Sequence, residues 1–225
     1  IVRWAPADSG FVPGDRVAAF PGLGGFAQVV SADPRMVFAL PDEVGLDAAA
    51  GLPMNYLTVH FALCRRANLR AGETVLVHGA AGGIGTAAIQ LAKALGAEVI
   101  AVVSDDNKAD TARRAGADET VGVAGFRDSV APLTSRRGVD IVVDPVGGSR
   151  FTDSLRSLAP EGRMLVIGFT EGDIPTVKVN RLLLNNISVV GVGWGAYWFS
   201  QPEYLAEQWQ ELLPLLRQGQ LSPLI

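Results

Sequence analysis

The sequence has little cysteine, little histidine and no concentrated positive charge, and each shortage removes a class of protein. Its 225 residues hold one cysteine, Cys64, which can form no internal disulfide and cannot by itself assemble a cysteine-based zinc site. There is no Lys/Arg-rich run: Arg65-Arg66, Arg113-Arg114 and Arg136-Arg137 are isolated pairs. With 19 Lys+Arg against 23 Asp+Glu the formal net charge is −4. Nucleic-acid binding, which needs a basic face or stripe, is therefore not expected. No uninterrupted apolar stretch reaches the roughly 18 residues that span a bilayer, so no membrane partner is expected either. The most apolar region, Ile187–Phe199, is interrupted by Gly191, Gly193 and Gly195 and reads as a buried strand and turn. With no signal peptide visible, the cytoplasm is the expected compartment. The chain opens at Ile1 rather than Met, as a processed product or a fragment would, so features lacking near its ends exclude nothing.

What is present is globular. Hydrophobic residues make up 48% and charged residues 19%, enough apolar side chain for one large domain or two small ones. The first 45 residues are rich in Gly and Pro, with short β-type runs at Arg16–Phe20 and Phe26–Val30, and read as strands joined by tight turns. From Leu46 the texture changes. Thr74–His78 is a short apolar strand, Thr86–Leu95 an Ala- and Leu-rich helix stopped by Gly96, and Glu98–Ser104 a β-branched strand suited to cover on both faces. A helix over Asp106–Ala115 follows, stopped by Gly116. Val139–Asp144 and Gly162–Gly168 are further strands with a helix over Ser149–Leu158 between them; Ser188–Val192 adds another strand, and Glu203–Leu216 closes as an amphipathic helix. Alternating strand and helix from residue 74 to about 192 is the pattern of a doubly wound parallel sheet. The expected division is a β-rich piece over 1–45, an α/β dinucleotide-binding domain over 46–200, and a closing helical segment over 201–225.

Between the first strand and its helix lies His78-Gly79-Ala80-Ala81-Gly82-Gly83-Ile84-Gly85-Thr86. A dinucleotide turn needs small residues so that the backbone can bend sharply, approach a pyrophosphate and pack helix on strand. The phosphates then rest on free N–H groups at the helix N-terminus. Ala80-x-Gly82-x-x-Gly85 gives the fingerprint with Ala for its first Gly, and Gly83-x-Gly85-x-x-Ala88 fits as well, leaving the register open by a residue or so. The flanking strand and capped helix are the context the motif requires. Ala81, Gly82, Gly83, Ile84 and Gly85 are therefore expected to hold a nicotinamide dinucleotide. Its identity stays open on these residues alone. Asp105 and Asp106 fall about 20 positions after Gly85, where an acid binds the ribose of NAD. The same acids could cap the next helix, while Lys108, beside the strand-ending Ser104, could pair with the 2′-phosphate of NADP.

Five segments carry a family resemblance: Pro13-Gly14-Asp15-Arg16-Val17, Leu69–Gly85, Ala88–Ala97, Val139–Gly148 and Asn186–Gly195. In composition and order they resemble the medium-chain dehydrogenase/reductase superfamily, and within it the zinc-independent quinone oxidoreductase group. The resemblance implies a Rossmann domain joined to a GroES-like β domain, here partial, with Ile1–Asp42 as its remnant and the last helix leading back toward it. It implies no metal. The four-cysteine zinc lobe of zinc-dependent relatives has no counterpart after Val17, Met54 stands where they carry a zinc ligand, and a thioether suits Zn²⁺ poorly. His60 and His78, the only histidines, are expected to pack or cap. Lys108 matches the group's 2′-phosphate lysine, which favours NADPH over NADH; one departure is Val123, where many members have tyrosine. Thr58 matches a threonine beside the nicotinamide, and Asn55 and Tyr56 are candidate substrate contacts. Val146 falls in the resembling Val139–Gly148 segment. Phe169 and Thr170 follow a strand at the carboxyl edge where such sheets bind ligands. Trp194 either lines the nicotinamide pocket or belongs to core or interface. The activity implied is hydride transfer from NADPH to a quinone or an activated carbon–carbon double bond, on a small-molecule substrate and in a homodimer paired near Ser188–Val192. An enoyl-thioester reductase and a non-catalytic NADPH-binding protein are the alternatives.

Overall fold

Each β-branched run read between residues 74 and 192 becomes a strand of one sheet in the computed structural model, which describes residues 1–225. Strands β3 (Thr74–Val77), β4 (Glu98–Val103), β5 (Glu119–Gly122), β6 (Val139–Asp144), β7 (Leu158–Val166) and β8 (Ser188–Gly191) align in the order β5-β4-β3-β6-β7-β8. All neighbours are parallel. The chain runs outward from β3 to β5, crosses back to β6 beside β3, and runs outward again to β8. The reversal opens a crevice at the carboxyl ends of β3 and β6, where doubly wound sheets bind ligands. The sheet is the expected α/β fold.

Alternation along the strands splits the interior into two layers. Val75, Val77, Val99, Ala101, Ile141, Val143 and Leu165 face one side, together with the buried residues of α2 (Leu52–His60), α3 (Gly83–Ala94) and α9 (Tyr204–Arg217). Leu76, Ile100, Val102, Val142 and Met164 face the other, with Phe126 and Val130 of α5 (Phe126–Leu133) and Phe151 and Leu155 of α6 (Phe151–Ser157). The first layer extends into the N-terminal piece. Ala18 of β1 (Val17–Ala19) and Phe38 of β2 (Val37–Ala39) share its core with Trp209 and Leu212 of α9. Phe38 packs tilted against Trp209 at 4.9 Å between ring centroids, and Trp209 Nε1 donates to Ala39 O at 2.9 Å. The closing helix thus returns to the N-terminal strands.

Local signals account for the element ends. Helix α3 stops in a C-terminal cap where Gly96 takes φ +82°, Gly96 N–H returning to Lys93 O and Ala97 N–H to Ala92 O, both at 2.9 Å. Gly116 ends α4 (Asp106–Arg114) in the same way, through Arg113 O and Ala112 O. Two expectations need correction, and two elements were not foreseen. Phe26–Val30 is not a strand: Phe26 is fully exposed, and β1 pairs instead with Val37–Ala39, whose Phe38 has an aromatic partner to bury against. The helix expected over Ser149–Leu158 gives way at Leu158, where β7 begins four residues before Gly162, with an irregular register between Val139 and Ile141. Strand β5 and helix α5 lie in a stretch to which the sequence assigns no element; β5 is short, with exposed residues at both ends, so its polar pattern hides it.

Candidate functional site

The glycine turn sits at the mouth of that crevice, and its geometry chooses between the two registers. Helix α3 begins at Gly83 with Gly82 as its cap. Thr86 N–H is the first to close a helical bond, to Gly82 O at 2.8 Å; the N–H groups of Gly83, Ile84 and Gly85 precede it and are free for an anion. A side chain at Gly85 would place its Cβ 2.2 Å from Gly79 O and 2.6 Å from Ala80 Cα. Gly85 is therefore the residue that lets helix and strand meet, the role of the motif's third glycine, in agreement with Ala80-x-Gly82-x-x-Gly85. Above the turn, a Cβ at Gly83 would stand 2.6 Å from Asn55 Nδ2; the Asn55 amide is steadied by Gly51 O at 3.3 Å.

A cleft of about 730 Å³ runs over this turn, within the range of small-molecule sites. It gathers the expected Asn55, Ala81, Gly82, Gly83, Ile84 and Gly85 on one side, Ser104 and Lys108 at one end, and Val146 and Thr170 on the opposite wall. Lys108 Nζ donates to Ser104 Oγ at 2.7 Å and lies 3.2 Å from Asp105 Oδ2. Asp105 is the N-cap of α4, accepting from Lys108 N–H at 3.0 Å, and its carboxyl is held below the usual range chiefly by that backbone bond. The acid that could have marked NAD is thus turned into its own helix, and no carboxylate lines the cleft.

Four expected residues lie outside it. Tyr56 is 2% exposed and donates its hydroxyl to Gln90 Oε1 at 2.6 Å, with burial pushing the phenol's pKa upward. Thr58 is buried within α2. The Phe169 ring is partly exposed and leans on the backbone at Gly147. Trp194 is buried, packs on Phe20 and Trp198 and donates to Gln208 Oε1 at 2.9 Å, which makes it a core residue.

Both histidines pack, as expected. His60 Nε2 meets Glu211 Oε2 at 2.8 Å and its Nδ1 faces Gln208 Nε2 at 3.1 Å. His78 is fully buried, 2.8 Å from Ser154 Oγ through Nε2. No group of three His, Cys, Asp or Glu residues is placed to hold a metal ion. Cys64, alone, is pushed up to about 12 by burial, far from a reactive thiolate. No helix is long and apolar enough to cross a membrane.

Sequence reasoning missed Asn107, Thr111 and Arg150, which also line the cleft. Asn107 and Thr111 share α4 with Lys108, and i, i+3 spacing from that lysine would have found Thr111. Arg150 follows the turn after β6, so the carboxyl-edge rule that singled out Thr170 applied to it equally.

Residues 83–218 match a family described as zinc-binding dehydrogenase. A probable oxidoreductase from Mycobacterium abscessus is 46% identical, aligns with 100% of this chain and 68% of its own, and superposes with a TM-score of 0.89. The quinone oxidoreductase of Thermus thermophilus, solved also in complex with NADPH, is 35% identical over 96% of this chain and 69% of its own, with a TM-score of 0.83. A quinone oxidoreductase-like protein 2 from Bos taurus is 40% identical over 213 residues, 93% of this chain. The chain spans 61% of that relative's length.

Proposed function

Because the chain belongs to the medium-chain dehydrogenase/reductase superfamily, in its quinone oxidoreductase-like group, we propose that it binds NADPH and reduces a quinone or an activated carbon–carbon double bond. The observation that carries the cofactor reading is the end of the cleft beyond β4. There Ser104 and Lys108 offer a hydroxyl and an ammonium, and the nearby Asp105 caps α4 through Oδ1 while its Oδ2 accepts from Ser104 Oγ at 2.9 Å and lies 3.2 Å from Lys108 Nζ. A 2′-phosphate gains the Lys108 cation in exchange for its pairing with Asp105 Oδ2, whereas a ribose 2′-hydroxyl meets no carboxylate lining the cleft. Relatives' complexes with NADPH support the same choice.

When bound, the nicotinamide supplies the hydride. The chain's own residues place it. Free N–H groups of Gly83, Ile84 and Gly85 receive the pyrophosphate, and the bare backbone of the turn lets it approach. Asn55, braced by Gly51 O and pressed against Gly83, stands over the turn on α2 as a neutral hydrogen-bonding group for cofactor or substrate. Val146 and Thr170 wall the far side and keep water from the reacting face. The reading uses no metal: His60 and His78 are committed to Glu211, Gln208 and Ser154, and the Met54 thioether suits zinc poorly. Homodimerisation through β8, one of the sheet's two edge strands, completes the proposal, since an open edge is otherwise a site for unwanted pairing; light scattering showing only monomer would remove it.

Titration with NADPH and NADH, followed by quenching of tryptophan fluorescence, tests the cofactor. NADPH should bind about tenfold more tightly, about 1.4 kcal/mol, and Lys108→Ala should erase most of that preference. Equal or tighter NADH binding refutes it. Turnover of a simple quinone, compared with an enoyl-CoA, then tests the acceptor: faster reduction of the thioester would reassign the substrate, and binding without turnover of either would refute the enzyme.

A further inference from the structure

Lys108 has one cationic counterpart in the cleft. Of its 19 lining residues only Lys108 and Arg150 carry positive charge, and none carries negative charge. Resting on the dinucleotide reading above, we infer that Arg150 is a cofactor-positioning residue whose guanidinium binds the pyrophosphate of the dinucleotide from the β6 side of the glycine turn.

Three observations carry this. The Arg150 side chain is four-fifths buried, with its Nη2 held 3.2 Å from Glu171 Oε2, so its position is set from behind rather than by solvent. Its Nε is buried and has no hydrogen-bond partner, and no bond is made by Nη1; most of the donors of a planar fork are left unspent. A buried donor left without an acceptor is unfavourable even on an ion-paired guanidinium, and is relieved by an anion arriving at it. The surrounding backbone is braced as well. Ser149 Oγ donates to Glu171 Oε1 at 2.9 Å, Glu171 N–H donates to Val146 O at 3.0 Å and Gly148 N–H to Asp173 O at 3.2 Å. The loops after β6 and β7 are thus stitched into one support beneath the guanidinium, and a preorganised fork loses less freedom on binding.

The sheet order decides which anion. Lys108 follows β4 and Arg150 follows β6, on opposite sides of β3. The pyrophosphate at the turn after β3 is one strand away from each, whereas the 2′-phosphate beside Lys108 lies beyond β4. Arg150 therefore meets charge that NADH and NADPH share. Lys108 reads the difference between them.

The test is calorimetric titration of the unmodified chain, Arg150→Gln and Arg150→Lys with NADPH and with NADH, alongside their melting temperatures. Arg150→Gln should weaken both cofactors about tenfold and to the same extent, and Arg150→Lys should restore part of the loss for both. The proposal is overturned by unchanged affinity in a folded Arg150→Gln. It is equally overturned by a loss confined to NADPH, which would move Arg150 to the 2′-phosphate, or by a fall in melting temperature with no change in affinity in either variant. If the unmodified chain binds neither cofactor, the dinucleotide reading itself fails, and that outcome is distinct from a tight wild type with an indifferent variant.

Discussion

Acidification should destabilise this protein, and the buried imidazole of His78 carries a defined part of the loss. Ser154 Oγ lies 3.0 Å from Arg150 O and donates to it, so at the 2.8 Å contact with His78 it can only accept. His78 therefore carries its proton on Nε2 and leaves Nδ1 as a bare acceptor, buried and without a partner. A second proton would go onto Nδ1, in a fully buried site with no acceptor, against the edge of Phe126 and within the repulsive reach of Arg150. Burial first, and then Arg150, push the His78 pKa from the usual 6.5 down to about 3. The sign follows from proton counting. Between those values the unfolded chain binds a proton that the native chain refuses, so stability present above pH 6.5 is lost as pH falls toward 3, by at most about 1.4 kcal/mol per unit. Integrated from pH 7 to pH 5, the loss is about 2 kcal/mol, a sizeable share of a typical domain's stability.

The assay is urea unfolding at a series of pH values for the unmodified chain and for His78→Gln, whose side chain stays uncharged. The quantity compared is the slope of stability against pH, so any constant cost of the substitution cancels. His60 and the carboxylates titrate in both chains and cancel too. The unmodified chain should lose about 2 kcal/mol more than the variant between pH 7 and pH 5. Parallel curves over that interval would refute the tautomer argument and the burial on which it rests.

Two further substitutions separate structure from site. Gly85→Ala drives a Cβ to 2.2 Å from Gly79 O and should cost at least about 1–3 kcal/mol of stability together with most of the NADPH affinity; an unchanged melting temperature and dissociation constant would show that helix and strand do not meet there. Tyr56→Phe removes the hydroxyl from Gln90, which still accepts from Ser222 N–H at 2.8 Å. It should cost about 1 kcal/mol while NADPH affinity and turnover stay unchanged, and loss of turnover in a folded variant would return Tyr56 to the active site.

The Rossmann sheet and the place of its ligand turn were legible in the order of the residues alone. Continuous β-branched runs can be buried only inside a sheet covered on both faces, and a glycine-rich stretch between such a run and an Ala-rich helix admits few geometries. Both are local chemistry. Gly96 and Gly116 behaved in the same local way, ending their helices where they stand. Long-range packing resolved what local chemistry left open. Whether Asp105 would bind a ribose or cap a helix depended on where its carboxylate turned, and the backbone N–H of Lys108 took it. Tyr56 and Trp194, polar-tipped aromatics that suit a site or a core equally well, were claimed for the core by Gln90 and Gln208, 34 and 14 residues away. Phe26 and Phe38 look alike in sequence, yet only Phe38 is met by Trp209, 171 positions later in a helix that returns across the molecule. For Arg150 the carboxyl-edge rule gave a place but no role, because the role proposed for it rests on guanidinium donors left free across the turn from Lys108. Such a juxtaposition exists only once β4, β3 and β6 lie side by side.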